Sequence, residues 1–532
     1  MRHFKLLLLA ALCFSAQNLT AQDLKAFEKK VTEFTLANGL HFIVVERHEA
    51  PVASFHTYVN AGSVNEPNGR TGLAHMFEHM AFKGTQSIGT TNWPAERKAL
   101  EAVEAAYDRL EAEQAKEKRA DPAKLKALSA ELDSAIQAAQ AYVIPNEYPR
   151  IIEESGGAGL NASTGVEATN YYYSLPSNRS ELWFLLESQR FLRPVFREFY
   201  KERDVVREER RMRIESNPQG KLVETMLATA FMALPYRHPT TGWASDIEHL
   251  RVEDARVFFE QFYVPRNMVI GVVGDVDPAA IRRLAERYFG PMQDRPLPAP
   301  MHTLEPPQSG EKRAAIETPA QPFLTIGYKR PAQDDPDDPV FDVISTILAS
   351  GRTGILYKEL VRDKRIALAA QSAAVFPAGE YSNLFLFFLV PNSGRSLTEL
   401  ETACYEVIER LKNEKVDATT LERVKTKVRA SIIRQLDSNT GLASQLTWYY
   451  MNYGDWRKLF TALQEIERVT ADDVQRVAKR YFTTTTRTVA FTVPPGGATQ
   501  PAAVKPAPSP ASPAKPPAPA KPASPAKKEP AR

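Results

Sequence analysis

The chain has 532 residues, 43% of them hydrophobic and 25% charged, a balance that fits a globular protein of two or more domains. Its net charge of +3 is small for this length, and no concentrated basic face precedes the last residues, which argues against nucleic-acid binding. Two cysteines exclude a disulfide-built scaffold.

In chain order, Arg2, His3 and Lys5 form a basic start, and Leu6 to Phe14 is an apolar run too short to span a bilayer. Residues 1–21 are therefore predicted to be a signal peptide cut after Ala21, which sends the product across the inner membrane, to the periplasm. Cys13 would leave with it, so Cys404 is the single mature thiol and no internal disulfide forms. No other segment is long and apolar enough for an integral membrane span.

Val31 to Leu36 alternates polar and apolar residues, Asn38-Gly39 supplies a turn, and Leu40 to Val45 returns as a second strand. Val52 to Asn60 predicts a third strand, and Gly72 to Lys83 a helix. Trp93 to Ala141, rich in Ala, Glu, Lys and Leu, predicts a helical hairpin broken at Asp121-Pro122. Such a charged hairpin is read as a solvated excursion, with a docking arm or lid as the alternative. Strand signals return at Gly159 to Leu175, followed by helices at Ser180 to Leu192 and Glu202 to Glu215. Val269 to Val273, followed by Gly274-Asp275, has the pattern of a buried strand.

After a Pro-rich linker the second half repeats the first. Glu253-Asp254-Ala255, Phe258, Phe262 and Tyr263 before one apolar strand parallel Asp472-Asp473-Val474, Val477, Tyr481 and Phe482 before another, at an offset of about 219 residues. The predicted domains are 22–295, with the hairpin 93–141 inserted, a linker 296–310, and a homologous domain 311–495. Residues 496–532, almost all Pro, Ala, Ser and Lys, are read as an unpacked tail, or as an electrostatic tether to an acidic envelope surface.

The chemistry concentrates in His75-Met76-Phe77-Glu78-His79. Histidines four residues apart project from one helix face and can share one tetrahedral zinc, about 2.0–2.1 Å from each nitrogen. Glu78 beside them is placed to take a proton from a zinc-activated water and return it to a leaving amine. Catalytic zinc needs a third protein ligand and an open position, so two histidines do not suffice. The second half has no counterpart of this motif.

Gly72 to Thr85 around the motif resembles the inverzincin signature of the pitrilysin, insulysin and mitochondrial processing peptidase family, and the chain resembles its shorter bacterial members from about Val31 to Pro494. The resemblance implies an α+β fold of two homologous domains, each a mainly antiparallel sheet covered by helices on one side, together forming half of a clamshell. It implies one Zn2+ per chain, with Glu209 as third ligand and Glu202, seven residues earlier, orienting a ligand histidine; Glu208 is the alternative ligand. The interval of about 130 residues from His79 to Glu209 exceeds the family's usual gap, and the helical insertion accounts for the surplus. Gly159 to Thr164 resembles the family's substrate-binding edge strand, with Asn161 and Ala162 at the positions that contact the peptide.

One position departs from the family pattern. Family members often pair an arginine with a tyrosine seven residues later to hold substrate; Arg362 is present, but Ala369 stands where the tyrosine would be. A separate homologous subunit is therefore expected to supply that pair in a heterodimer, a homodimer being the alternative. The function implied is a zinc-dependent endopeptidase acting on peptides or small unfolded proteins, with Glu78 as general base. A non-catalytic processing subunit would be expected to break the motif, and a structural zinc protein typically uses four protein ligands.

Overall fold

The computed structural model describes residues 25–496; the predicted signal peptide and the segment from 497 onward lie outside the described residues. The first half builds a sheet from β1 (Val31–Thr35), β2 (His41–Glu46), β3 (Val52–Val59), β4 (Ala158–Thr164), β5 (Thr169–Pro176) and β6 (Met268–Gly274), in the order β1-β2-β6-β3-β5-β4. Only the β2–β6 pair is parallel. The second half builds β7 (Lys312–Glu317), β8 (Leu324–Arg330), β9 (Ala367–Phe376), β10 (Asn383–Pro391) and β11 (Arg487–Val493) into the order β7-β11-β8-β10-β9, with β7–β11 parallel. Strand for strand this is the topology β2-β6-β3-β5-β4, so the duplication read from residue spacing extends to the strand order.

Among the described residues of the first half, nine helices of eight residues or more follow: α1 (Leu73–Met80), α2 (Trp93–Gln114), α3 (Pro122–Gln140), α4 (Glu147–Glu154), α5 (Ser180–Leu192), α6 (Phe199–Arg210), α7 (Pro218–Ala230), α8 (Val252–Phe262) and α9 (Pro278–Phe289). The second half contributes α10 (Asp338–Ala349), α11 (Leu397–Asn413), α12 (Ala418–Gln435), α13 (Asn439–Tyr453), α14 (Lys458–Arg468) and α15 (Ala471–Tyr481). Each half packs its own helices against one face of its own sheet around a large apolar core.

The other sheet faces are covered too, which one-sided packing did not anticipate. Leu442, Ala443 and Leu446 of α13 bury against Ile43, Val45, Val269 and Val273 of the first sheet. Reciprocally, Leu222, Met226 and Ala230 of α7 bury against Ile316, Leu384, Leu386 and Ala490 of the second. The contact is close: a Cβ at Gly271 of β6 would meet Ala443 O at 3.0 Å. Strands covered on both faces show continuous apolar character instead of alternation, and every residue of β6 is buried.

The hairpin is also not a solvated excursion. Asn92 and Asp121 cap its two helices, and Pro122 at the first turn of α3 makes the predicted break. One face, with Val103, Ala106, Tyr107, Leu110, Leu128 and Leu132, joins the core of the first half. A buried ion pair fastens its base: Arg197 Nη2 donates to Glu96 Oε2 at 2.9 Å and to Thr85 O at 3.1 Å, and Arg197 Nη1 donates to Lys83 O.

Where the halves meet, His56 of β3 is fully buried, its Nδ1 2.9 Å from the Thr447 hydroxyl of α13. Burial pushes its pKa down to about 4 from 6.5. The unfolded chain then binds more protons between those values, so stability falls as pH drops from 6.5 towards 4. His56→Gln is expected to remove from that decline a contribution on the order of 3 kcal/mol, read as the difference between wild-type and variant unfolding free energies at pH 7 and pH 4.

Candidate metal centre

α1 begins abruptly because Gly72 has φ 93°, and a Cβ there would meet Thr241 O at 2.9 Å. The first helical N–H groups are closed by a buried carboxyl: Gly72 N and Ala74 N donate to the two oxygens of Glu66, each at 2.8 Å. Burial holds that carboxyl well above its ordinary range. Leu73, Ala74, Met76, Phe77 and Met80 sink into the core, and the remaining stripe carries His75, Glu78 and His79.

α6 lies against this stripe. It starts at Phe199, three residues ahead of the predicted helix, and the chain continues after Arg210 as a π-helical turn, Arg211–Glu215. Phe199, Tyr200 and Val206 bury in the same core as α1, which turns Glu202 and Glu209 towards the histidines. His75 Nε2 is 3.7 Å and His79 Nε2 3.4 Å from the Glu209 carboxylate oxygens. His79 Nδ1 is 3.4 Å from Glu202 Oε2. Glu208 points away, paired with Arg211 at 2.6 Å and half exposed.

The donor set fits a divalent ion. His75, His79 and Glu209 each offer one ligand atom, all within 4.8 Å of one another, the one such cluster among the described residues. Two ligands of a tetrahedral zinc lie roughly 3.3 Å apart, and the separations of 3.4 and 3.7 Å are close to that spacing. Burial, together with the His79 and Arg213 charges, pushes His75 down to about 3, so its imidazole is neutral and able to ligate. At His79 burial works downward, but the Glu202 hydrogen bond and the charges of Glu209, Glu202 and Glu78 outweigh it and raise the pKa. An ion at the cluster would compete with that proton. His75 Nδ1 is buried with no hydrogen-bond partner among the described residues.

Glu78 faces the same space from α1. Burial raises its carboxyl above the usual range, against the Thr164 hydroxyl that donates to it. Thr164 belongs to β4, which lies at the sheet edge as predicted. On β4 the Asn161 side chain is exposed and accepts from Ala162 N–H at 2.9 Å, while the Ala162 methyl turns into the core. A cavity of about 380 Å3 adjoins Glu78 and His79, walled by Phe82 and Lys83 and by Val143 to Pro149, the segment that leaves the hairpin.

Three residues beyond the predicted set belong to this arrangement. Lys83 bridges Glu202, at 2.5 Å, and Glu198, at 3.2 Å; Arg213 reaches Glu209 at 2.8 Å; Thr164 holds Glu78. Only Arg213 had a legible signal, its i,i+4 spacing from Glu209. Arg362 is not brought to the cluster: it is exposed and pairs with Asp363. Ala369 lies in β9, half-buried against the apolar cluster of α7.

A duplicated α+β fold in which one half alone carries a His-x-x-Glu-His helix, completed by a glutamate from a later helix, is the plan of M16-type peptidases. Residues 42–120 match the family model described as insulinase, peptidase family M16, and residues 249–428 match the peptidase M16 inactive domain. The chain belongs to this peptidase family. It is 26% identical over 478 residues to the zinc protease PqqE of Helicobacter pylori, covering 88% of this chain and 94% of that protein. It is 24% identical to a probable mitochondrial-processing peptidase subunit beta of Arabidopsis thaliana, covering 86% and 77% of the two. A protease of Helicobacter pylori of known crystal structure superimposes with a TM-score of 0.73 at 26% identity, over 87% of this chain and all of that one. The inactive-domain match begins at residue 249, ahead of α8 and β6, which complete the first sheet.

Replacing Glu209 by Gln is expected to abolish stoichiometric zinc binding, while Glu208→Gln retains about one zinc per chain, measured by elemental analysis after gel filtration.

Proposed function

We propose that the chain is a zinc-dependent endopeptidase in which His75, His79 and Glu209 hold one Zn2+ and Glu78 is the general base. The observation that carries this reading is the convergence of three ligand atoms from α1 and α6 beside the Glu78 carboxyl. Zinc bound there supplies Lewis-acid activation of water and of the scissile carbonyl. Glu78 takes the proton of the attacking water and delivers it to the leaving amine, and burial raises its carboxyl above the usual range. Thr164 holds the carboxyl in line. Glu202, itself held by Lys83, accepts from His79 Nδ1 and so leaves Nε2 free for the metal.

A peptide added to the outer edge of β4 would be held through its backbone and passed beside Glu78, with Asn161 and Ala162 at the contact and the adjoining cavity open to one side chain. Such binding predicts broad sequence tolerance. Because Arg362 lies apart from the cluster and Ala369 offers no hydroxyl, a homologous subunit is proposed to complete the substrate site; the name of the Arabidopsis relative, a subunit beta, is in keeping with a heterodimer. The basic and apolar start of the sequence supports a periplasmic location.

Glu78→Gln is expected to keep its zinc and lose roughly 10²- to 10⁴-fold in kcat on a quenched peptide. Undiminished turnover by a zinc-loaded variant would rule out this base. Adding the copurifying homologous subunit is expected to raise kcat/KM of the wild-type chain at least about tenfold, since one lost transition-state donor costs a few kcal/mol. Full activity of the isolated chain would remove the case for a partner.

A further inference from the structure

On the second half, remote from the metal cluster in sequence, a cavity of about 540 Å3 opens between the start of α10 and helices α13, α14 and α15. One wall is aromatic. Trp448 packs edge-on against Tyr449 and Tyr453, with ring centroids 4.8 and 5.8 Å away, and all three rings are half-buried. The opposite wall is acidic, and six carboxyl side chains against three basic ones line the space. Of the basic groups, Lys458 is held by Glu465 at 2.6 Å and Arg476 by Asp337 at 2.8 Å, while Arg468 is exposed at the rim.

Asp342 sets the chemistry. It faces the cavity one turn beyond Asp338 and makes no hydrogen bond or ion pair among the described residues, whereas Asp338 is paired with Arg330. Burial and the neighbouring Asp338 push the Asp342 carboxyl up to about 7, a cost that a cation in the cavity would offset. Among the described residues these acids do not form a metal cluster, since the one set of ligand atoms close enough to share an ion there is that of His75, His79 and Glu209. Dispersed carboxylates beside a half-buried aromatic wall, whose Tyr453 ring already has Lys458 Nζ 5.6 Å from its centroid, suit an organic cation instead, and the volume lies within the range of small-ligand sites.

The sequence holds such a cation in repeated form. Lys505-Pro506, Lys515-Pro516 and Lys521-Pro522 recur in the segment after residue 496, which carries five lysines and one arginine against a single glutamate. Proline packs flat on Trp and Tyr rings and limits the backbone to an extended form before binding, which lowers the entropy lost on docking. Reach is sufficient. β11 ends beside the start of β8, and the cavity begins just past the end of β8, about 20–25 Å away at 3.3 Å per residue. At about 3.1 Å per residue an extended chain covers that distance before Lys505.

We propose that this aromatic and acidic cavity is a docking site for the lysine–proline repeats of residues 497–532, with one lysine ammonium among Asp334, Asp335 and Asp342 and the following proline on the aromatic wall. Docking would seat the segment on the second half, away from the zinc ligands.

Zero-length carbodiimide cross-linking of the full chain, read by peptide mass spectrometry, tests this. Cross-links from Lys505, Lys515 and Lys521 to Asp334, Asp335 or Asp342 are expected to exceed those to the exposed Glu101 and Glu154 about fivefold, the ratio that ~1 kcal/mol of cation–π attraction gives. Trp448→Ala, and separately 1 M salt, are expected to remove the excess. A second measurement leaves the folded core untouched: with all three lysines changed to Gln, labelling of Asp334, Asp335 and Asp342 by glycine ethyl ester is expected to rise by a similar factor. Mixing isotopically light and heavy chains shows whether a segment docks on its own chain or on a second copy, and either supports the site. Cross-links spread in proportion to acid exposure, or labelling unchanged by the lysine substitutions, would overturn the proposal, as would labelling suppressed only by an added foreign basic peptide.

Discussion

Two imidazoles on one helix turn offer a metal only two ligand atoms, and the carboxylate that gathers with them arrives about 130 residues later on another helix. The centre therefore depends on how α1 and α6 pack. That packing is apolar: Phe77 and Ala74 from one helix and Phe199, Tyr200 and Val206 from the other share a core with the sheet beneath. A well-packed core moves little, so it can hold ligand atoms in place without the ion present. Charged side chains gathered at the site have partners behind them. Glu202 is met by Lys83, Lys83 by Glu198, and the turn after α1 is tied to Arg197, itself buried against Glu96.

The hairpin gains its place from that last contact. An insertion attached only by its ends would have left the space beside His79 open to solvent. Here Gln140 and Val143 to Pro149 at its end wall a cavity next to the motif, and its apolar stripe fills the core above α6. The same segment that lengthens the interval between ligands also shapes the space in which a substrate side chain would sit. β4, free along one side, runs past Glu78 on the other flank, so a chain added to it and a side chain entering the cavity would approach the same carboxyl.

Duplication has a structural consequence beyond repeated topology. Each half lends one helix to the other's sheet, α7 to the second and α13 to the first, and these occupy equivalent positions about 219 residues apart. A sheet buried on both faces cannot separate from its neighbour without exposing apolar surface, which makes the two halves one stability unit. His56 and Thr447 lie within that seam and give it a polar register mark.

The strands, the motif helix and the hairpin were legible because their signals are local. Period-two alternation marks Val31–Thr35, a capping residue and a proline mark the start of each hairpin helix, and four-residue spacing puts His75 and His79 on one face. The repeat was legible too, since a constant offset needs no coordinates. Spacing alone could not separate Glu209 from Glu208; the family resemblance favoured the former, and tertiary packing turned one carboxylate inward and left its neighbour to Arg211. Tertiary structure alone also decided that the hairpin is buried on one side, that each sheet is covered twice, and that Lys83 and Thr164 hold the Glu202 and Glu78 carboxylates. Each of these depends on residues that meet across long stretches of chain, where no periodicity records the contact, and burial rather than sequence decides which polar groups need one another.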